Sequence, residues 1–135
     1  MASRNPNDLH PDLLPIFNAF MAEAQKYNID VLCTCTYRSN EEQETLYAQG
    51  RGAPGKIVTN ARAGQSAHNF TLKGKPAAKA FDIVPMRNGK CVWGTSGDDL
   101  VIWQRLGAIG NRLGLIWYGS PGSKFKEFPH FELRG

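Results

Sequence analysis

The sequence predicts an α+β domain, two or three helices packed against a small, mostly antiparallel sheet. Three observations carry this. Apolar residues recur at helical spacing over 11–27 and again over 98–113. Short runs rich in β-branched and aromatic residues occur at 30–37 and 79–85. Asn88-Gly89, between two such runs, is a strong signal for a tight hairpin.

Each element follows from local chemistry. Over 11–27, Leu13, Leu14, Phe17, Phe20, Met21 and Ala24 form an apolar stripe, and Pro11 suits a first helical position. Residues 30–37, DVLCTCTY, read as a strand. Ser39 and Glu42 make a capping box, so a second helix is expected through Leu46 and Tyr47, stopping at Gly50. Residues 51–67 are rich in Gly, Ala and Arg and read as an irregular surface segment. Residues 79–85, KAFDIVP, read as a buried strand closed by Pro85. RNGK at 87–90 turns the chain into Cys91-Val92-Trp93. The helix over 98–113 is expected to be capped by Asp98 and ended by Gly114, with Leu100, Ile102, Trp103, Leu106 and Ile109 on its apolar face. Residues 115–118 and 130–133 read as short strands.

The chain has 135 residues, 41% of them hydrophobic and 21% charged. That length supports one core without cross-links, and the composition excludes wholesale disorder. No apolar run reaches the roughly 18 residues of a membrane span. The first fifteen residues lack the apolar stretch of a secretory signal, so synthesis in a cytoplasm is expected. Three cysteines, an odd number, argue against a disulfide framework. The net charge of +4 is scattered along the chain. It suits solubility, or an anionic envelope polymer as partner. No helix clusters Arg and Lys, so no nucleic-acid partner is expected.

Histidine is scarce: His10, His68 and His130. His10 reads as part of the lead into the first helix. Alone, His68 and His130 would read as structural. Asp82 changes that reading because it interrupts an apolar strand, where an ionised carboxylate needs a partner. An arginine or a metal would serve. Two His and one Asp make three protein ligands, the number that leaves a catalytic zinc one open position. Cys33 and Cys35 read as small buried apolar residues. A hydrolytic site also needs a base. Glu127 lies three residues before His130, across the bend set by Pro129, and Glu132 shares a strand face with His130. Either could be the base, and Glu132 could instead orient a ligand. Arg38, at a strand end, either pairs with Glu41 or Glu42 or holds a substrate carboxylate or developing oxyanion.

These residues resemble a family of zinc peptidases, the phage L-alanyl-D-glutamate endopeptidases (endolysins) and the bacterial D-alanyl-D-alanine carboxypeptidases and dipeptidases. The likeness lies in Tyr37-Arg38-Ser39 with Glu42-Gln43, in Gln65-Ser66-Ala-His68-Asn69, in Ala80-Phe81-Asp82-Ile83, in the segment from Trp103 to Trp117, and in Glu127-Phe-Pro129-His130-Phe131. It runs from about residue 30 to 133. It implies one zinc ion per chain on His68, Asp82 and His130, with Glu127 as catalytic base. It implies that Arg38 and Ser66 contact substrate or stabilise the transition state. The chain departs from the family in two places. His68 and Asp82 are fourteen residues apart, where about seven is usual, and residues 71–79 read as a longer hairpin tip. Tyr118-Gly119-Ser120 stands where many relatives carry Gly-Gly-Asp.

The expectation is thus a single catalytic domain over 1–135, with a lead and helix at 1–29, a family-like core at 30–133 and no separate wall-binding domain. Its function would be cleavage of the L-alanyl-D-glutamate bond of peptidoglycan by a phage endolysin. Such a monomer would be made in the host cytoplasm, be released by a separate phage pore-forming protein and act on the wall in the periplasm. A D-alanyl-D-alanine carboxypeptidase or dipeptidase is the alternative. A zinc-bearing module without turnover and a Cys-His hydrolase are further readings.

Overall fold

The chain is described here by a computed structural model covering residues 2–119 and 127–134. A 3-10 turn at Pro6–Asp8 leads to helix α1 (Leu14–Lys26). The amides of Leu13 and Leu14 both donate to the carbonyl of His10, so residues 11–13 form a turn and α1 begins later than the apolar stripe predicts. Pro15, rather than Pro11, takes the early helical position where a missing N–H costs nothing. Strand β1 (Asp30–Cys35) follows, then α2 (Asn40–Ala48). The Ser39–Glu42 capping box forms reciprocally, as predicted. Residues 49–66 contain no helix or strand, as expected.

After a 3-10 turn at Ala67–Asn69, strands β2 (Thr71–Leu72) and β3 (Lys75–Pro76) form a hairpin. Lys73 and Gly74 both have positive φ at its tip, the geometry of a type I′ turn. The extra residues between His68 and Asp82 are therefore a self-contained hairpin. Strand β4 (Ala80–Arg87) runs through Pro85 instead of ending there. The carbonyl of Pro85 accepts from Val92, so its ring nitrogen faces that same edge and not β1. Proline is tolerated in a strand where its nitrogen faces no ladder partner. Asn88-Gly89 turns the chain into β5 (Lys90–Cys91) as predicted. Helix α3 (Gly97–Arg112) has Ser96 at its N-cap, so Asp98 lies in the first turn beside the helix dipole and is not the cap. Gly114, at φ +87°, ends it. Strands β6 (Ile116–Trp117) and β7 (His130–Glu132) complete the sheet. Ser120, at the second departure from the family pattern, lies outside the described residues.

The sheet runs β1-β4-β7-β6, with β5 on β4, and every pairing is antiparallel. One face carries the core. Phe81 of β4 lies opposite Phe131 of β7, and the two rings stack 5.6 Å apart. Phe17 and Phe20 of α1 meet Phe81 edge-on, and Trp117 stacks on Phe131. Helix α3 packs close because Gly107 and Gly110 present no side chain. A Cβ on Gly107 would stand 2.2 Å from the Trp117 ring, and one on Gly110 2.5 Å from Phe131. The opposite face of the same strands, one residue out of phase, carries the chemistry.

Candidate metal centre

The register of the sheet builds the site. Asp82 of β4 pairs directly with His130 of β7 on one side and with Cys35 of β1 on the other. Phe81 and Phe131 point into the core, so Asp82 and His130 point away from it. His68 reaches them from the 3-10 turn. That turn is held by the Arg38 amide donating to the His68 carbonyl and by the Asn69 side-chain amide donating to the Arg38 carbonyl.

Three atoms converge. His68 Nε2 lies 3.1 Å from Asp82 Oδ1, His130 Nδ1 lies 3.1 Å from the same oxygen, and the two nitrogens are 3.3 Å apart. The outer ring nitrogens settle the tautomers. His68 Nδ1 is 2.7 Å from the carbonyl of Thr36, which can only accept, so Nδ1 donates. His130 Nε2 is 2.8 Å from the Glu132 carboxylate and donates there. In the neutral rings the inner nitrogens are then lone pairs. Two lone pairs and a carboxylate oxygen face one another, an arrangement that needs a cation. The edges of this triangle match the roughly 3.3 Å edge of a tetrahedron with 2.0–2.1 Å metal–ligand distances, as zinc prefers. The residues therefore fit a zinc ion.

Electrostatics point the same way. Burial pushes the His68 imidazole down, but the Asp82 carboxylate more than reverses this and holds it well above its ordinary value. Burial likewise pushes His130 down, and its hydrogen bonds to Asp82 and Glu132 raise it overall. Burial would raise the Asp82 carboxyl, but the two imidazoles hold it far below the carboxylate range. The carboxylate holds positive charge at this spot, whether as a proton or as a metal.

The remaining predicted residues also gather here. Arg38 does not pair with Glu41 or Glu42. Its guanidinium donates to Gln43 Oε1 at 2.9 Å and lies 3.9 Å from Asp82 Oδ2, the oxygen that faces away from the imidazoles. Of the two partners weighed for Asp82, the arginine thus lies beside Oδ2, while Oδ1 faces the two imidazole nitrogens that could share a metal with it. Glu127 lines the cleft that opens over the triad. Burial raises its carboxyl, opposed by His130 and helped by Asp82. Glu132 orients His130, one of the two roles open to it. Ser66 lines the cleft too, but its hydroxyl oxygen accepts from the His68 amide, which caps the turn carrying that ligand. The cleft encloses about 1480 Å³.

Cys35 is buried, as read, but its sulfur also has polar neighbours. Its Sγ lies 3.6 Å from His68 Nδ1 and 3.6 Å from Arg38 Nη2. Cys35, His68 and Asp82 alone would make a second possible ligand group. The sulfur, however, sits on the outer nitrogen of His68, whose proton is directed to Thr36. That occupied nitrogen cannot take a proton from the thiol, which removes the Cys-His hydrolase. Cys33 fits the apolar reading: it packs against the core, and burial pushes its thiol up to about 12.

Two positioning roles were not legible in the sequence, although Gln43 belongs to the Glu42-Gln43 motif. Gln43, fully buried, takes the Arg38 guanidinium on its oxygen and donates to the Ala61 carbonyl at 2.7 Å. Thr36, also fully buried, donates its amide to Ser3 and its hydroxyl to Asn5, so the N-terminal segment fixes the carbonyl that orients His68. Both are ordinary polar residues whose roles depend on long-range contacts.

A carboxylate on one strand, set between an imidazole from the adjacent antiparallel strand and a second from a 3-10 turn under an open cleft, defines a metallopeptidase-type centre. The chain belongs to the VanY family of D-alanyl-D-alanine carboxypeptidases, whose model matches residues 6–126. This makes it a peptidoglycan hydrolase by class. It is 36% identical over 133 residues to peptidoglycan L-alanyl-D-glutamate endopeptidase CwlK of Bacillus subtilis (strain 168), spanning 95% of this chain and 75% of that protein. Among solved structures it is similar to the Serratia marcescens L-Ala D-Glu endopeptidase ChiX, at TM-score 0.59 and 20% identity over 99% of this chain and 89% of that one. It is also similar to a mutant of the vancomycin-resistance D,D-pentapeptidase VanY in complex with Zn(II), at TM-score 0.62 and 15% identity over 94% and 73% of the two chains.

Proposed function

We propose that this chain is a zinc-dependent endopeptidase that cleaves the L-alanyl-D-glutamate bond of peptidoglycan stem peptides. The observation that carries the metal chemistry is the triangle of His68, Asp82 and His130 donor atoms, sized for a tetrahedral ion. The choice of bond is supported by the 36% identity to an L-alanyl-D-glutamate endopeptidase along nearly the whole chain.

A zinc ion held by His68, Asp82 and His130 would supply Lewis acidity to the scissile carbonyl and acidify a water. Glu127, at the cleft wall, takes a proton from that water as its oxygen bonds to the carbonyl carbon. The same proton passes to the departing amine as the C–N bond breaks. The raised proton affinity of a half-buried Glu127 suits both transfers. Arg38, held by Gln43 beside Asp82 Oδ2, offers positive charge to the carbonyl oxygen as it becomes anionic. Ser66 fixes His68 through its amide and lines the substrate's path. The proposal extends to a single zinc per monomer, to residues 1–135 as one catalytic domain, and to host lysis by a phage endolysin that crosses the inner membrane through a separate pore-forming protein. The net charge of +4 favours the anionic wall.

Mass spectrometry of purified peptidoglycan after digestion by zinc-loaded protein tests the bond. The expected products are stem peptides with D-Glu as the new N-terminus. Loss of terminal D-Ala alone would replace the endopeptidase by the carboxypeptidase. An unchanged digest from zinc-loaded protein would leave a binding module. Expression in the host with and without a pore-forming protein tests the lysis setting, with lysis expected only when both are present.

A further inference from the structure

We propose that Trp93 is the platform of a sugar subsite that seats the N-acetylated pyranose from which the stem peptide hangs; its placement rests on the L-alanyl-D-glutamate reading above. Among the described residues Trp93 is the most exposed large apolar side chain, at 57%, whereas Trp103 and Trp117 are buried. Its backbone is nevertheless fixed on both sides. Before it, Val92 is buried and donates to Pro85; after it, the Gly94 carbonyl accepts from the Trp103 indole at 2.9 Å. An Arg87–Asp99 ion pair of 3.0 Å ties the preceding hairpin to the first turn of α3. The indole is thus presented on a rigid support without being packed, which removes much of the ordering cost of a contact.

That indole lines the same cleft as His68, Asp82 and His130, together with Asn60, Gln65 and Thr95. A cleft lined by a flat aromatic face, amides and a hydroxyl matches a pyranose ring, which has an apolar C–H face and a polar rim. The cleft also has room. At about 1480 Å³ it exceeds the roughly 300–1,000 Å³ of a typical small-molecule site. The chemistry of the substrate says why a sugar should come so near. The stem's L-Ala is joined through a lactyl group to the sugar, so a site cutting after that alanine has the ring about two residue lengths away, roughly 7 Å. A site cutting between the terminal D-alanines has it several residues farther off.

Two substrates sharing the L-alanyl-D-glutamate bond, a disaccharide-bearing muropeptide and the sugar-free stem peptide, test the subsite. Trp93→Ala is expected to lower kcat/KM about tenfold on the muropeptide and less than twofold on the free peptide, while Trp93→Phe retains most of the muropeptide activity. Equal losses on both substrates, or no loss on the muropeptide, would overturn the subsite. A binding measurement on the unaltered protein needs no cleavage. Titration with the free disaccharide of N-acetylglucosamine and N-acetylmuramic acid should shift the Trp93 indole N–H resonance, assigned by its absence in Trp93→Phe. No shift at saturating disaccharide would also overturn it. A shift without cleavage of either substrate would retain the sugar site and reject the choice of bond.

Discussion

His68 Nε2 and Asp82 Oδ1 lie 3.1 Å apart although their positions are fourteen apart in the chain. The β2–β3 hairpin takes up the extra length and returns the chain to the same place. Its base is closed by the Ala77 amide donating to Phe70 and the Lys79 amide donating to Ala67. The lengthened segment therefore leaves the ligand geometry intact.

The same contact makes metal binding a proton exchange. Asp82 raises the proton affinity of His68 and His130, so at neutral pH the metal-free site holds a proton that zinc must displace. A raised imidazole stays protonated to higher pH, so apparent zinc affinity rises with pH, by about tenfold per unit for each proton displaced. Calorimetry in buffers of different ionisation enthalpy should show at least one proton released per zinc at pH 7. No release would contradict the raised imidazoles.

Glu127 is assigned the base and no metal contact. Glu127→Gln is expected to retain zinc at wild-type affinity and to lose about 10²- to 10⁴-fold in kcat. Zinc content by elemental analysis and turnover on the same sample check this. A variant with full activity and full zinc would remove Glu127 from the mechanism.

Thr36 positions His68 through its carbonyl, and its side-chain hydroxyl ties that strand end to Asn5. Thr36→Val keeps the volume but leaves the Asn5 carbonyl without that donor, at a cost of about 1–3 kcal/mol. Looser support of a ligand typically weakens metal binding by about 10- to 100-fold. Competition against a chelator should show the weaker affinity, and the change should persist at temperatures where circular dichroism shows the variant folded. Unchanged zinc affinity would make Thr36 purely structural.

Gly107 lets α3 lie on Trp117, and both effects of replacing it can be weighed. Gly107→Ala gains about 1 kcal/mol of helix propensity. The added methyl would stand 2.2 Å from a ring that is itself packed on Phe131, and such overpacking costs about 1–3 kcal/mol. A net loss of stability is expected in denaturant unfolding, and a gain would show that the sheet yields easily.

The sequence made the elements legible because their signals are local. The Ser39 box, the Asn88-Gly89 turn and the Phe17–Phe20 stripe each stabilise structure within a few residues. The errors fall where a neighbour decides. Pro85 remains in a strand because its nitrogen faces away from β1, and α1 starts late because His10 collects two amides. The ligand residues were legible as well, because Asp82 is an anomaly in an apolar strand. The supports were not. Gln43, Thr36 and Cys35 are unremarkable types whose partners are brought together by sheet register and by the N-terminal segment, which no single stretch of sequence records.

The central claim, that His68, Asp82 and His130 hold the metal, is tested most directly by X-ray absorption at the zinc edge of the loaded protein. The account predicts a first shell of nitrogen and oxygen only, at about 2.0–2.1 Å, with the multiple scattering of two imidazoles. A sulfur scatterer near 2.3 Å would contradict it, because it would place zinc on Cys35 and move the centre to the other side of His68.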